Sequence, residues 1–329
     1  MTELEGFLRA AKDDALDDGP RLILADWLDE IEQPARAEFV RVQCELLRVV
    51  NNPHAWVRRE RLRQREAELL AEYRQVWLEP LRPLFRYADF VDPTTATRSW
   101  SEGVWFERGL VHARLLLERL FHYAASVHRR DDAFVWVERL AVMRTSGGEI
   151  SRLADWPYLY HISQLSLYDL RESTRSVEAE IAHLLGSSQL AQLRWLSLDL
   201  NLGPAVVELL AAAPSLSGLV VLELNSNPIG DSGVQVLARS PYLRHLRHLS
   251  LRGCDIRDPG LYAILESPYL QQLQRLDLHA NHIRDAGVRA LLESPLAQSL
   301  HYVDLGNNRI STYWRREFNR TFGQRGRSI

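Results

Sequence analysis

Histidine pairs are the first residues in this sequence whose spacing could support chemistry. His245 and His248, then His279 and His282, form two H-x-x-H pairs in neighbouring segments. Zinc requires three or four ligands that converge at about 2 Å. We expect only His248 and His279 to face a common surface, and in different columns of it. The sequence therefore predicts no metal site, and it indicates no cofactor and no small-molecule substrate.

Nucleophilic or acid–base catalysis has equally little support. Cys44 lies within an apolar helical pattern, where a thiol is inert. Asp26 beside Trp27 is reminiscent of a catalytic acid next to a ring, but a packed Trp whose neighbouring Asp pairs with Arg21 or Arg41 is the simpler interpretation. The Walker A, nucleophile-elbow and HExxH motifs are absent. We therefore predict that the protein is not an enzyme.

The basic residues raise the possibility of a nucleic-acid-binding helix. Lys12 is the only lysine among 40 basic residues, and six arginines fall within one predicted helix: Arg58, Arg59, Arg61, Arg63, Arg65 and Arg74. Glutamates alternate with them at helical spacing, which is typical of a solvated helix with ion pairs. A net charge of −3 and a pI near 6.4 also disfavour a protein that coats nucleic acid or an anionic membrane. Nucleic-acid binding through this helix is a minor alternative.

The sequence shows no segment that would target or insert the chain. Its first residues lack the basic and apolar regions of a secretory signal. No apolar run approaches the roughly 18 residues of a membrane span. Cys44 and Cys254 form no disulfide framework, since they are far apart in dissimilar contexts. We expect a soluble, cytoplasmic protein without membrane association.

Helix-start signals divide residues 1–79 into four helices. Thr2 and Glu5 form a capping box, in which each side chain accepts a backbone N–H from the other's residue. The remaining three helices have start signals of their own, Pro20, Pro34 and Asn52-Pro53. Residues 80–103 then contain three prolines and a Thr-rich stretch, so we expect a connector and a domain boundary there.

Two stretches of this helical region share a specific pattern. They are Pro20-Arg21-Leu22-Ile23-Leu24-Ala25-Asp26-Trp27-Leu28-Asp29-Glu30 and Pro34-Ala35-Arg36-Ala37-Glu38-Phe39-Val40-Arg41-Val42-Gln43-Cys44-Glu45-Leu46. Together they resemble the bacterial repeat-companion domain over about residues 1–50. Ile31-Glu32-Gln33 departs from that family's usual Gly-containing turn. The resemblance implies a helical module that precedes leucine-rich repeats, and it names no reaction.

Regularly spaced leucines mark the rest of the chain. Of 55 leucines, 33 lie in residues 161–329. Their first positions recur at intervals of 26, 27, 27 and 27 residues in five copies: Leu193-x-x-Leu196-x-Leu198, Leu219-x-x-Leu222-x-Leu224, Leu246-x-x-Leu249-x-Leu251, Leu273-x-x-Leu276-x-Leu278 and Leu300-x-x-Val303-x-Leu305. Each copy predicts a short strand, and the fixed interval predicts a repeat solenoid.

Each predicted strand is followed at a constant distance by a residue that can serve the turn. These residues are Asn201, Asn227, Cys254, Asn281 and Asn308. We expect each side chain to lie inside the turn and to satisfy backbone groups there. Cys254 is therefore expected to be structural rather than nucleophilic.

The second half of each repeat predicts a helix. Asp231, Asp258 and Asp285 are expected to act as N-caps of their own helices, and Ser-Pro dipeptides end them. One strand and one helix in about 27 residues resemble the ribonuclease-inhibitor subtype of leucine-rich repeat. The resemblance implies an α/β fold, in which an N-terminal helical domain precedes a curved solenoid with parallel strands on the concave face and helices on the convex face.

Weaker copies extend the solenoid upstream and a cap ends it. Ile162-x-x-Leu165-x-Leu167 and Val137-x-x-Leu140-x-Val142 keep the strand pattern. We expect one earlier strand within 104–117, a helix over 117–127, and a capping helix from Tyr313 to Phe322 followed by a tail with Arg325 and Arg327. The predicted domains are thus 1–79, a connector at 80–103, the solenoid at 104–310, and a cap and tail at 311–329.

Function should reside in the residues between the strand leucines, because neighbouring strand positions point to opposite faces. Aromatic and arginine side chains anchor interfaces, and several of them alternate with acids at these positions. The predicted partner-binding residues on the concave face are Tyr168, Trp195, Asp199, Glu223, Asn225, His248, Arg252, Arg275, Asp277, His279, Tyr302 and Asp304.

We therefore predict a non-enzymatic scaffold that binds a protein partner. Repeats of this subtype also occur in GTPase-activating proteins, so a GTPase-activating regulator is the alternative. Stimulated GTP hydrolysis by a cognate GTPase would discriminate between the two.

Overall fold

A computed structural model describes residues 2–13, 17–50, 52–84, 103–126, 134–144, 150–169 and 177–323. The chain divides into two compact units. The first comprises Met1–Met143 with His161–Gln164, and the second comprises Arg144–Tyr160 with Leu165–Ile329. Most of the predicted connector, the residue Val127 and the two arginines of the predicted tail lie outside the described residues. The domain limits drawn from the sequence stay predictions.

The first unit contains five helices and three strands among its described residues. The helices are α1 (Glu3–Asp13), α2 (Gly19–Glu30), α3 (Pro34–Val49), α4 (Trp56–Leu78) and α5 (Leu117–Ser126). The strands are β1 (Gly103–Glu107), β2 (Leu110–Leu116) and β3 (Val137–Arg144, the last residue belonging to the other unit). The predicted capping box is confirmed, since Thr2 N donates to Glu5 Oε2 at 2.6 Å and Glu5 N donates to Thr2 Oγ1 at 3.2 Å.

The strand expected within 104–117 is in fact a two-stranded hairpin. β1 and β2 pair in antiparallel register, and β2 and β3 pair in parallel. Arg108 and Gly109 form the turn with φ values of 50° and 82°, the geometry of a tight hairpin turn. A Cβ on Gly109 would lie 2.3 Å from Val40 Cγ2, so only glycine lets the turn approach α3 this closely.

Polar residues of the repeat-companion pattern hold the hairpin and β3 against the helices. Arg21 is buried and its Nη2 lies 2.6 Å from Glu138 Oε1. The Arg36 guanidinium stacks 3.9 Å from the ring centroid of Trp136. Gln43 Oε1 accepts the N–H of the turn residue Gly109 at 2.7 Å. These contacts are consistent with a helical companion module and give its polar positions a structural role.

The second unit alternates strands with helices. Its strands are β4 (Gln164–Asp169, the first residue belonging to the other unit), β5 (Trp195–Asp199), β6 (Val221–Glu223), β7 (His248–Ser250), β8 (Arg275–Asp277) and β9 (Tyr302–Asp304). Its helices are α6 (Glu178–Leu185), α7 (Pro204–Ala211), α8 (Gly230–Ala238), α9 (Asp258–Leu265), α10 (Asp285–Glu293), α11 (Leu296–Ser299) and α12 (Thr312–Phe322). The strands follow one another in chain order, and those from β5 to β9 are parallel. This is the predicted α/β solenoid, with strands on the concave face and helices on the convex face.

A ladder of buried side chains joins the turns of successive repeats. The amide of Asn281 accepts from the N–H groups of Cys254 and Ile256, both at 3.0 Å, and donates to the carbonyl of Leu251 at 2.7 Å. Asn227 and Asn308 make equivalent bonds to the preceding repeat. The thiol of Cys254 donates to the carbonyl of Leu224 at 3.0 Å. The prediction is confirmed at these four positions.

At Asn201 the prediction is wrong. Asn201 is exposed, with φ of 54°, and Leu202 is buried at the position that Ile229 occupies in the next repeat. Leu202 N donates to Asn227 Oδ1 at 2.7 Å. The first repeat has one residue fewer between strand and turn, which accounts for its interval of 26 rather than 27 residues. Asn suits the exposed position because it tolerates left-handed backbone better than most residues.

The aspartates cap helices, but not their own. Asp258 is the first residue of α9 and caps no N–H there; its Oδ1 accepts from Arg284 N of the next repeat at 2.8 Å. Asp231 and Asp285 likewise accept from the following repeat, at Arg257 N and Ser311 N. The predicted intrahelical caps are therefore wrong, since the stacking of repeats brings each carboxylate to its neighbour's helix start.

The end of the second unit is covered as predicted. Helix α12 begins after Ser311, and its residues Phe318 and Phe322 are buried. The helix packs against α10, the helix of the last complete repeat. A terminal repeat needs such a cover because it has no neighbour on one side.

Candidate functional site

The concave positions form two columns in the register predicted from the sequence. The first runs through Trp195, Val221, His248, Arg275 and Tyr302. The second runs through Ser197, Glu223, Ser250, Asp277 and Asp304. Parallel strands lie about 4.8 Å apart, so each residue in a column is the neighbour of the next. The face is therefore an ordered array of side chains with a fixed spacing.

The first column presents two aromatic pairs. The rings of Trp195 and His248 meet edge to face, with centroids 6.3 Å apart. The guanidinium of Arg275 lies 4.4 Å from the ring centroid of Tyr302. Burial, together with the charge of Arg275, lowers the pKa of His248 to about 4. At neutral pH His248 is uncharged and forms, with Trp195, a polarisable but uncharged surface.

The carboxylates at the C-terminal end of the face are occupied by internal contacts. Asp277 is 7% exposed, accepts from His279 N at 3.0 Å, and lies 3.2 Å from Arg252 Nη1. Asp304 is 5% exposed and lies 3.4 Å from Nδ1 of His279. Both side chains shape the face by fixing Arg252 and His279, and little of either carboxylate reaches the surface.

Asn225 also acts inside the face. Its Oδ1 accepts from Ser250 Oγ at 2.7 Å and from Arg252 N at 2.9 Å. Asn307 was missed from the sequence, although its Nδ2 lies 3.0 Å from His279 Nε2. No signal in the repeat pattern marks this residue, because it lies in the turn rather than in a strand column.

The N-terminal half of the face carries two carboxylates of a different kind. Asp199 and Glu223 are half-buried, and within the described part of the chain neither has a hydrogen-bond or ion-pair partner. Burial raises the pKa of Asp199. Tyr168 is half-buried on β4. Among the predicted acidic residues, Asp199 and Glu223 are the two whose charge is not satisfied by an internal contact within the described residues.

The other chemical candidates lie in separate environments. His245 is exposed beside Arg244, and His282 lies 3.4 Å from Asp255, so the four histidines do not converge. Among the described residues, no three His, Cys, Asp or Glu side chains are grouped so that they could hold a metal ion. Burial raises the pKa of both cysteines to about 12, which keeps each thiol protonated. A helix long and apolar enough to cross a bilayer is likewise not found in the described ranges.

Comparison with known families identifies the repeats. The leucine-rich-repeat family model matches residues 219–238, 242–265 and 269–292. These residues of the second unit therefore consist of leucine-rich repeats. Repeats of this kind are typically interaction modules, since their stacked strands form extended concave binding surfaces. No curated protein matches the chain.

Solved structures that resemble the chain are distant. A Bacteroides fragilis protein is 16% identical, with a TM-score of 0.38 over 62% of this chain and 70% of that one. An internalin from Listeria monocytogenes is 19% identical, with a TM-score of 0.32 over 54% and 50% of the two chains. The yeast Rad7 and Elc1 complex contains a chain that is 14% identical, with a TM-score of 0.40 over 65% of each.

Proposed function

We propose that this leucine-rich-repeat chain is a non-enzymatic scaffold that binds a protein partner on the concave face of its second unit. The observation that carries the proposal is the unpaired state of Asp199 and Glu223 beside the uncharged surface of Trp195 and His248. Half-buried carboxylates without partners are costly in the free protein, and a cation from a partner would offset that cost.

The charges of the face favour a partner with two opposite charges. Asp199 and Glu223 lie diagonally on neighbouring strands. The usual strand spacing and rise per residue place them about 8 Å apart. Arg275 is exposed two strands beyond Glu223, where it stacks on Tyr302 and forms no ion pair within the described residues. A bound segment would therefore place a lysine or arginine over the two acids and a carboxylate over Arg275.

The hydrogen-bonded frame beneath the face supports tight binding. Arg252 and His279 are held by buried aspartates, and the strands are held by the asparagine ladder. A surface that is already ordered loses little conformational entropy when a partner binds. The same rigidity gives no support for a catalytic step, and we assign none.

The proposal is tested with isosteric charge removal. Immobilised wild-type protein and the double variant Asp199→Asn with Glu223→Gln are compared for the partner that they capture from an extract of the source organism. The matched control is Glu208→Gln with Glu266→Gln, which removes the same charge from an exposed position on helix α7 and from the exposed residue that follows helix α9. We expect the first variant to lose the captured partner and the control to retain it. Equal capture by both variants would refute the concave-face assignment.

The structure lends the alternatives no specific support. In the arginine-rich helix, Arg58 pairs with Glu45, and Arg65 pairs with Glu38 and Glu68, which reduces the charge available to nucleic acid. A GTPase-activating role is tested directly by adding the protein to a candidate GTPase and measuring the rate of GTP hydrolysis.

A further inference from the structure

A second exposed surface lies in the first unit, where α3 is connected to α4. Leu47 is 39% exposed, Val50 43%, Trp56 64% and Val57 43%. These are four of the nine large hydrophobic side chains that are exposed among the described residues. Single exposed apolar side chains are normal in proteins, but a group of them within eleven residues of sequence marks an interaction site. We call these four residues the tip.

Contacts between the two helices bring the tip residues together. Nη1 of Arg59, in the first turn of α4, donates to the carbonyl of Val50 at 3.2 Å. Arg58 forms an ion pair with Glu45, near the end of α3. The end of α3 therefore lies beside the first turn of α4, and the four exposed apolar side chains all belong to this junction.

The tip is bordered by positive charge. Between positions 47 and 63 the sequence has five arginines and one glutamate. Arg48 and Arg58 are paired with Asp18 and Glu45. Arg61 and Arg63 are exposed, and within the described part of the chain they have no ion-pair partner. An apolar centre with an unpaired cationic edge is complementary to a ligand that is both apolar and acidic.

We propose that the tip is a docking site for an acidic, apolar segment of a protein partner. The partner's leucine- or phenylalanine-type side chains cover Trp56 and its neighbours, and its carboxylates face Arg61 and Arg63. A protein fits better than a membrane, because the apolar side chains come from two helix ends rather than from one long face of an amphipathic helix.

The test uses the full chain and a short fluorescent synthetic peptide rich in glutamate and leucine. Anisotropy titration is expected to show binding that weakens about tenfold in Trp56→Ala, since exposed aromatic anchors dominate such contacts. The double variant Arg61→Gln with Arg63→Gln is expected to weaken binding and to reduce its dependence on salt. Circular dichroism should be unchanged in all variants, because the altered side chains are exposed.

Matched controls distinguish binding at the tip from non-specific binding elsewhere on the protein. Val76 is 69% exposed on the same helix α4, so Val76→Ala tests an apolar side chain outside the tip. Arg9→Gln removes an exposed cation from α1. Both controls should bind like wild type. The proposal is overturned if the acidic peptide fails to bind, if Trp56→Ala binds equally well, or if a lysine–leucine peptide, phosphatidylserine vesicles or single-stranded RNA binds more tightly than the acidic peptide.

Discussion

Replacing Asn281 by alanine should be one of the most damaging single changes in the solenoid. The Asn281 amide lies in a buried turn and makes five hydrogen bonds. It accepts from two N–H groups, those of Cys254 and Ile256, and donates to three carbonyls, those of Leu251, Leu278 and His279. Alanine removes all five and provides no substitute.

The magnitude follows from the two donors. A buried N–H without an acceptor costs about 1–3 kcal/mol, whereas a carbonyl that loses one of several partners costs less. We therefore expect Asn281→Ala to lower the free energy of unfolding by about 3–5 kcal/mol, a large part of the 5–15 kcal/mol typical of a domain. Asn281→Cys should cost about half as much, because Cys254 shows that a thiol at this position can donate to the preceding repeat's carbonyl.

Urea denaturation followed by circular dichroism measures the loss, and Asn201 provides the control. Asn201 has the same place in the leucine pattern, but it is exposed with φ of 54°. Asn201→Gly should change the free energy of unfolding by less than about 0.5 kcal/mol, since glycine adopts that backbone without strain. If Asn281→Ala costs no more than Asn201→Gly, the assignment of stability to the buried ladder is wrong.

Two further predictions concern packing between repeats and a buried charge. In Gly287→Ala the new Cβ would lie 2.5 Å from Asp258 Oδ1 and displace it from Arg284 N, so denaturation should show a loss of about 2–3 kcal/mol. Gly203→Ala has open space around it and should cost only about 0.5–1 kcal/mol, the usual preference for glycine over alanine at an N-cap. Burial, partly opposed by the charge of Glu138, lowers the pKa of Lys12 from 10.5 to about 7, so the unfolded chain binds more protons between these values. The free energy of unfolding of the wild-type protein should therefore rise as pH increases from about 7 to 10.5. Denaturation measured at several pH values should show a smaller rise for Lys12→Met over the same window.

The sequence predicted the scaffold well because leucine spacing reports a requirement that every repeat shares. Strand leucines must be buried at a fixed interval, and the concave columns follow from them by alternation. The one shorter interval, 26 residues rather than 27, also explains the failure at Asn201, where a residue fewer between strand and turn shifts the turn relative to the strand leucines. The Asp258 cap was misassigned for a related reason, since sequence signals for capping describe one helix and the actual partner belongs to the next repeat.

The sequence predicts which strand column each residue of the candidate site belongs to. It does not predict whether the side chain is free to bind a partner or is already paired within the protein. Alternation placed Asp277 and Glu223 in the same column, and the register confirms that placement. Only the structure distinguishes them. Asp277 forms an ion pair with Arg252 and accepts a hydrogen bond from His279 N, whereas the side chain of Glu223 has no partner within the described residues. Contacts between side chains of neighbouring repeats decide this difference, and spacing along one chain does not encode them.

The buried ladder and the concave face are therefore connected through the backbone. The carbonyl of His279 accepts from Asn281 Nδ2, while the N–H of His279 donates to Asp277 and its ring faces Asp304. Loosening the turn at Asn281 would release a residue of the face without altering any surface side chain. A variant such as Asn281→Cys that still folds should consequently bind the partner more weakly through lost preorganisation. Its dissociation should be faster while its salt dependence stays that of wild type, because the charges of the face are unchanged.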